Sequence, residues 1–211
     1  FKTRVAAQDD ETVFGKILLI NKDTKEWSIF SKGHRNIQGL YFSDKDNIVL
    51  STEHGPQGGD EININIIDDN KEKNFGWPIS SYGEHYGGKK HPQNDINYKE
   101  APLYKSHKEF GFIEPLKYFV PSIGITEISK IPSSYGNGFN NDYFVGAMGK
   151  HVEEGDKSLH RIKIDDKFTK VIQHEIIPFN ERIRDLIYVE KLNKFILFLE
   201  NSASLAIISP N

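Results

Sequence analysis

Cysteine is absent from the chain's 211 residues. That one absence removes disulfides, thiolate zinc sites and cysteine nucleophiles together. It does not choose a compartment, because a cysteine-free chain suits the cytosol and the periplasm alike. Long apolar runs are also missing: nothing approaches the ~18 residues needed to span a bilayer, so membrane insertion is not expected. There is no basic excess either. A net charge of −3 argues against a phosphate-neutralising surface, and nucleic acid is not an expected partner. The chain opens on Phe1 and residues 1–10 carry no signal-peptide pattern. The expectation is a processed or incomplete chain, with secretion left open.

What is present reads as a folded β protein. Hydrophobic residues make up 37% and glycine contributes 17 residues, enough for a buried core and against disorder. No segment carries a long helical apolar period. Short runs with alternation or β-branched enrichment recur at 16–20, 27–30, 39–42, 48–51 and 61–67. A second series follows at 123–128, 143–147, 158–164, 170–176, 185–189, 195–199 and 204–208. Residues 43–47 and 190–194 read as hairpin turns. The fold class is all-β, with sandwich, barrel and propeller as the candidates. Read as a propeller, about twelve strands make about three four-stranded antiparallel blades. Three blades cannot close a ring, so a complementing N-terminal half or a homodimer is expected to cover the open edges. Residues 68–114 differ: rich in Gly, Tyr, His, Lys and Pro, they read either as a surface excursion or as a loop that walls a site.

Four segments carry possible chemistry. Gly33-His34-Arg35-Asn36 sets a cation beside an amide just before a strand, which suits an oxygen-rich anion or an ordinary strand-entry turn. In 53–63, three glycines and Pro56 force a tight backbone. Carbonyls turned inward by such a loop can ligate a hard cation, with Asp60 and Glu61 close by. The spacing matches no EF-hand, and a glycine turn with two solvated acids is the plainer reading. Asn74-Phe75-Gly76-Trp77-Pro78 can stack a planar ligand or simply pack the base of the loop. Arg182-Ile183-Arg184-Asp185 puts two arginines on one face of a strand, where they repel unless an anion or a carboxylate lies between them.

The order of these segments says more than any one of them. GHRNIQGL, EHGPQGGDEIN, NFGWPISSYG, PSIGIT, DYFVGAMG and RIRD follow one another as in the glucose/sorbosone dehydrogenase family, which the chain resembles from about residue 7 to 208. Gly15-Lys16-Ile17-Leu18 resembles the strand that precedes the family's GHRN segment. EHGPQGGDEIN followed by NFGWP is the specific part of the match.

The resemblance implies that residues 1–211 are a partial six-bladed β-propeller domain carrying the C-terminal, cofactor-binding half of a site for pyrroloquinoline quinone (PQQ) and calcium. It implies oxidation of an aldose, a small-molecule sugar, to its lactone, in the periplasm or outside the cell. By the same resemblance Arg35 and Asn36 contact PQQ, and Arg35 faces the quinone oxygen that becomes negative on reduction. Arg182 and Arg184 match the pair that holds the cofactor's carboxylates. Ser122 matches a small hydroxyl residue beside the cofactor. The carbonyls of Gly55 and Pro56 match the calcium ligands, with Asp60 an acid near them. A lysine reaches the cofactor in the family; Lys150 is the candidate here, and Lys157 competes because 151–156 blurs the register. Three features depart from the pattern. Phe119 stands where many relatives have tryptophan, and PSIGIT replaces the commoner PSIAPSG. None of the eight histidines, His34 included, sits in the motif of the family's general base, which lies upstream of everything in this chain. A non-catalytic propeller that binds sugar or a partner protein is the second reading. A calcium-dependent lactonase is the third, and it requires side-chain carboxylates converging on the metal.

Overall fold

The computed structural model describes residues 2–67, 72–86 and 95–210. Segments 68–71 and 87–94 of the 68–114 stretch lie outside the described residues. A short helix, α1 (Lys2–Val5), leads into β1 (Lys16–Ile20), β2 (Trp27–Lys32), β3 (Ile37–Ser43), β4 (Ile48–Glu53), β5 (Asp60–Ile66), β6 (Lys73–Asn74) and β7 (Lys117–Phe119). The chain continues through β8 (Ile125–Lys130), β9 (Asp142–Ala147), β10 (Ser158–Ile164), β11 (Val171–Pro178), β12 (Ile183–Val189), β13 (Lys194–Leu199) and β14 (Ser204–Ile208).

These strands form four sheets in chain order: β1-β2-β6, β3-β4-β5-β7, β8-β9-β10-β11 and β12-β13-β14. All pairings are antiparallel except the short β2–β6 ladder. β8 packs against both β3 and β12, so the first strands of three successive sheets converge, as the inner strands of a propeller do. The expected three four-stranded blades are therefore two four-stranded sheets flanked by two three-stranded ones. β6 and β7, two and three residues long, are too short to leave a periodic signal in the sequence.

The core explains which strands read as continuous apolar runs. β4 and β9 are buried along their whole length. Tyr143 and Val145 of β9 face Ile48, Leu50 and Ile62 of the second sheet. Phe144, one residue out of phase, packs with Ile183, Leu186 and Phe195 of the fourth. The third sheet is thus covered on both faces, which is why its middle strand lacks an apolar–polar alternation. The terminal sheets are covered on one face only. Ile187, Phe198, Leu205 and Ile207 are exposed on the fourth sheet, and Leu19, Ile20 and Trp27 on the first. Among the described residues no helix is long and apolar enough to cross a membrane.

One contact between sheets is expected to respond to pH. Phe119 presents its ring to His160 and His174, both at 5.9 Å and nearly perpendicular. His160 Nδ1 lies 2.8 Å from His174 Nε2, so one proton joins the two rings. Loss of solvation, then the charges of Lys117 and His160, pushes His174 down to about 4. A histidine held neutral in the folded chain but free to protonate when unfolded stabilises the fold above pH ~6.5, and that contribution is lost as pH falls toward 4. The melting temperature is expected to drop across this window in thermal scans, and His174→Gln is expected to flatten that part of the profile. An unchanged profile in the variant contradicts the account.

Candidate functional site

The residues singled out in the sequence gather at one end of the inner strands. Arg35 and Asn36 precede β3, Ser122 precedes β8, and Arg182 and Arg184 lie at the start of β12. Gly55, Pro56 and Lys150 follow β4 and β9, the antiparallel neighbours that finish at that same end. Two clusters result, with residues 122–125 as the bridge between them.

The first cluster is built on the 54–60 loop. Gly59 N–H donates to Ser122 Oγ at 2.9 Å. His54 Nε2 lies 2.6 Å from the Ile125 carbonyl. Asp60, 2% exposed, accepts Gly55 N–H on one oxygen at 3.2 Å and Ile125 N–H on the other at 2.9 Å. Asp60 therefore fastens the loop, and both its oxygens are committed to amides. The glycines are sterically required. A Cβ on Gly55 would lie 1.9 Å from the Gly59 carbonyl oxygen, and one on Gly59, at φ +146°, would lie 2.3 Å from Gly83 N. Gln57 and Glu84 pair through their backbones at 3.1 and 2.7 Å and lock this doubled-back path. Among the described residues no hydrogen bond ends on the Gly55 or Pro56 carbonyl. Two backbone oxygens held in place without an internal donor suit a hard cation.

Arg35 stands over this loop. Its Nη1 donates to the His54 carbonyl at 2.7 Å and its Nη2 to Tyr86 Oη at 3.0 Å. The guanidinium lies 5.5 Å from the Trp77 ring and 5.8 Å from that of Tyr86. Trp77, only 6% exposed, is at once core and platform. On one side Arg35 borders a cavity of about 360 Å³ with Arg4, His34, Asn36 and Trp77. On the other it borders a narrow cavity with Gly55, Pro56, Glu53, Glu61 and His107. Phe75, Trp77, Ser80, Ser81 and His107 all line that narrow cavity, so the described part of the 68–114 stretch walls a site.

Sequence reading missed the buried charges beneath this wall. Glu53 and Glu61 are directly opposite in the β4–β5 ladder, 3% and 5% exposed. Each has its own histidine: His34 Nδ1 is 3.2 Å from Glu53, and His107 Nε2 is 3.3 Å from Glu61. Burial, with Glu53 adding to it, pushes the Glu61 carboxyl up. Desolvation works against a charged His107, yet its contact with Glu61 raises it on balance. His34 also bonds Ser31 Oγ through Nε2 at 2.8 Å and stacks on Phe75 at 4.7 Å, which makes it a core histidine. Charged residues at adjacent ladder positions flanking a glycine loop were the available signal.

The second cluster lies across the bridge. Met148 and Gly149 N–H donate to the Gly124 and Ile123 carbonyls at 2.9 and 2.8 Å. Arg182 Nη1 in turn donates to the Met148 carbonyl. Arg182 and Arg184 do share a face, and a carboxylate lies between them. Glu200 accepts Arg182 Nε and Nη2 on one oxygen, each at 3.2 Å, and Arg184 Nη2 on the other at 2.9 Å. The Arg184 hydrogen bond leads in holding the Glu200 carboxyl below the usual range. Lys150 and Lys157 both line the open cleft beside Arg182 and Glu200, about 480 Å³, so neither lysine displaces the other as candidate.

The comparisons with known proteins bear on the family and the fold. Aldose sugar dehydrogenase YliI of Escherichia coli strain K12 is 28% identical over 221 residues, covering 98% of this chain and 54% of its own. Quinoprotein glucose dehydrogenase B of Acinetobacter calcoaceticus is 35% identical over 92 residues, 38% of this chain and 18% of its own. A crystal structure of a glucose dehydrogenase superposes with a TM-score of 0.76 at 25% identity, over 99% of this chain and 57% of that one. The chain spans about half the length of the curated relatives it matches over most of its own sequence. The profile described as Glucose / Sorbosone dehydrogenase matches residues 1–206. Four propeller sheets with these segments at one rim, and that match along nearly the whole chain, place it in the glucose/sorbosone dehydrogenase family.

Proposed function

We propose that this chain supplies the cofactor-binding part of a PQQ- and calcium-dependent sugar dehydrogenase that oxidises an aldose to its lactone. One observation carries the reading: Arg35 with the Gly55 and Pro56 carbonyls, which accept no hydrogen bond among the described residues, and the Arg182–Arg184 pair sit at the same end of the inner strands, lining separate cavities that residues 122–125 bridge. The residues fit the groups. The two carbonyls suit calcium, and the Glu53 and Glu61 carboxyls line the same narrow cavity. Arg35 and Asn36 line the cavity that would take the planar quinone, Ser122 holds the adjacent loop through Gly59, and Arg182, Arg184 and Lys150 would hold its carboxylates. When bound, PQQ accepts the electrons of the sugar's anomeric C–H bond and calcium polarises it as a Lewis acid.

The chain's own part is electrostatic. The Arg35 fork is fixed by His54 and Tyr86 before any ligand arrives, so it stabilises developing negative charge without reorganising. Trp77 packs against the guanidinium and holds it at the cavity edge. The proton of the sugar hydroxyl passes to a base outside this chain. The lactonase reading asks for carboxylates converging on a metal, whereas both Asp60 oxygens here accept backbone N–H groups that hold the loop.

The exposed apolar faces of the first and fourth sheets support a domain completed by further blades, either a complementing N-terminal half or a second copy in a homodimer. The periplasm or the exterior is the proposed location. The test is reconstitution of protein carrying the complementary blades with PQQ and calcium, followed by dye reduction with glucose and other aldoses. Turnover that needs both additions is expected. No uptake of PQQ ends the proposal.

A further inference from the structure

Offsetting the repulsion between the arginines does not by itself account for Glu200. It comes from the turn after β13 and is tied down independently of the guanidiniums. Its N–H donates to the Arg182 carbonyl at 2.9 Å. Glu181 clamps the same turn, accepting Arg182 and Asn201 N–H on one oxygen at 2.7 and 3.2 Å and Ser202 N–H on the other at 3.2 Å. The Glu200 carboxylate is thus delivered to the pair by fixed backbone. A tethered carboxylate acts at a high effective concentration, so a free monocarboxylate at millimolar level gains nothing by replacing it. The cleft nevertheless keeps an excess of positive charge: Lys150, Lys157 and Arg182 line it with Glu200 as the one acid among the described lining residues, and Arg184 shares that acid from beside them. A ligand with several carboxylates can engage the lysines and the outer edges of the arginines together and still bind.

We propose that Glu200 is a built-in competitor that makes the arginine cleft selective for polycarboxylate ligands and closes it to single carboxylates, including sugar acids. This rests on the reading that the cleft takes the carboxylates of PQQ. It is a device of negative specificity: an occupant already present sets the threshold that a ligand must exceed.

The test is calorimetric titration of the protein and of Glu200→Gln with two probes, sodium acetate and PQQ with calcium. The wild type is expected to show no acetate binding at ~20 mM. The variant is expected to bind acetate in that range and to bind PQQ about tenfold more tightly, on the order expected for removing one unfavourable charge at such a site. Weaker PQQ binding by the variant, or no gain of acetate binding, overturns the inference. Acetate gained by the variant while neither protein binds PQQ supports the role of Glu200 and instead removes the cofactor reading. Should Glu200→Gln fold poorly, the carboxyl carbon resonance of Glu200 in labelled wild-type protein answers the same question. It is expected to move on saturation with PQQ and to stay put with acetate, and the reverse pattern overturns the inference.

Discussion

Gly55→Ala is expected to abolish calcium-dependent binding of PQQ, with an affinity loss of at least ~100-fold. The reason is backbone against backbone. The added methyl would lie 1.9 Å from the Gly59 carbonyl oxygen and 2.3 Å from its carbon, and no side-chain rotation relieves that. The loop must open, and the Gly55 and Pro56 carbonyls then leave the positions that Asp60 and Ser122 fix for them. Losing one positioned oxygen from a cation site is worth several kcal/mol at most, and ~2.7 kcal/mol already accounts for 100-fold. Gln57→Ala, at an exposed position whose backbone pairing with Glu84 survives the change, is the matched control and is expected to bind as the wild type does. Equilibrium dialysis with and without calcium reads both. Retention of calcium-dependent binding in Gly55→Ala means that the loop does not hold the cation.

Arg35→Ala is expected to lower kcat by ~10²–10³ in the reconstituted enzyme, the usual effect of removing one preorganised donor from developing charge. The melting temperature should change little by comparison. Arg35 makes two hydrogen bonds and lies against Trp77, but it is half-buried at a rim rather than inside the core. Arg35→Lys separates charge from shape. It keeps the cation but loses the fork that reaches His54 and Tyr86 together, so recovery is expected to be partial. Parallel loss of folding and turnover in Arg35→Ala would make the residue structural.

Much of this was legible in the residues because the fold repeats one simple signal. Five-residue runs bounded by turns gave nearly every strand of the second, third and fourth sheets. β6 and β7 were lost because two or three residues carry no period, and their pairing is decided by the path of the long 68–114 connection. The site was legible where chemistry forces unusual sequence: the glycines of 55–59 cannot be replaced without backbone overlap, and two arginines at alternate positions ask for an anion. Glu53, Glu61 and His107 were not read as a unit, because ladder register brings the first two together and the third arrives from a distant loop. Glu200 was recoverable in principle. Carrying the hairpin centred on 190–194 back to its open end sets residue 200 opposite Arg182, as the pairing of Ile183 with Leu199 shows.

A crystal of the protein grown with PQQ and calcium gives the most direct answer. The account predicts one ligand spanning the rim, with calcium on the Gly55 and Pro56 carbonyls, Arg35 at the quinone oxygens and the carboxylates toward Arg182, Arg184 and the lysines. A ligand bound at only one cluster, or calcium held away from that loop, contradicts it.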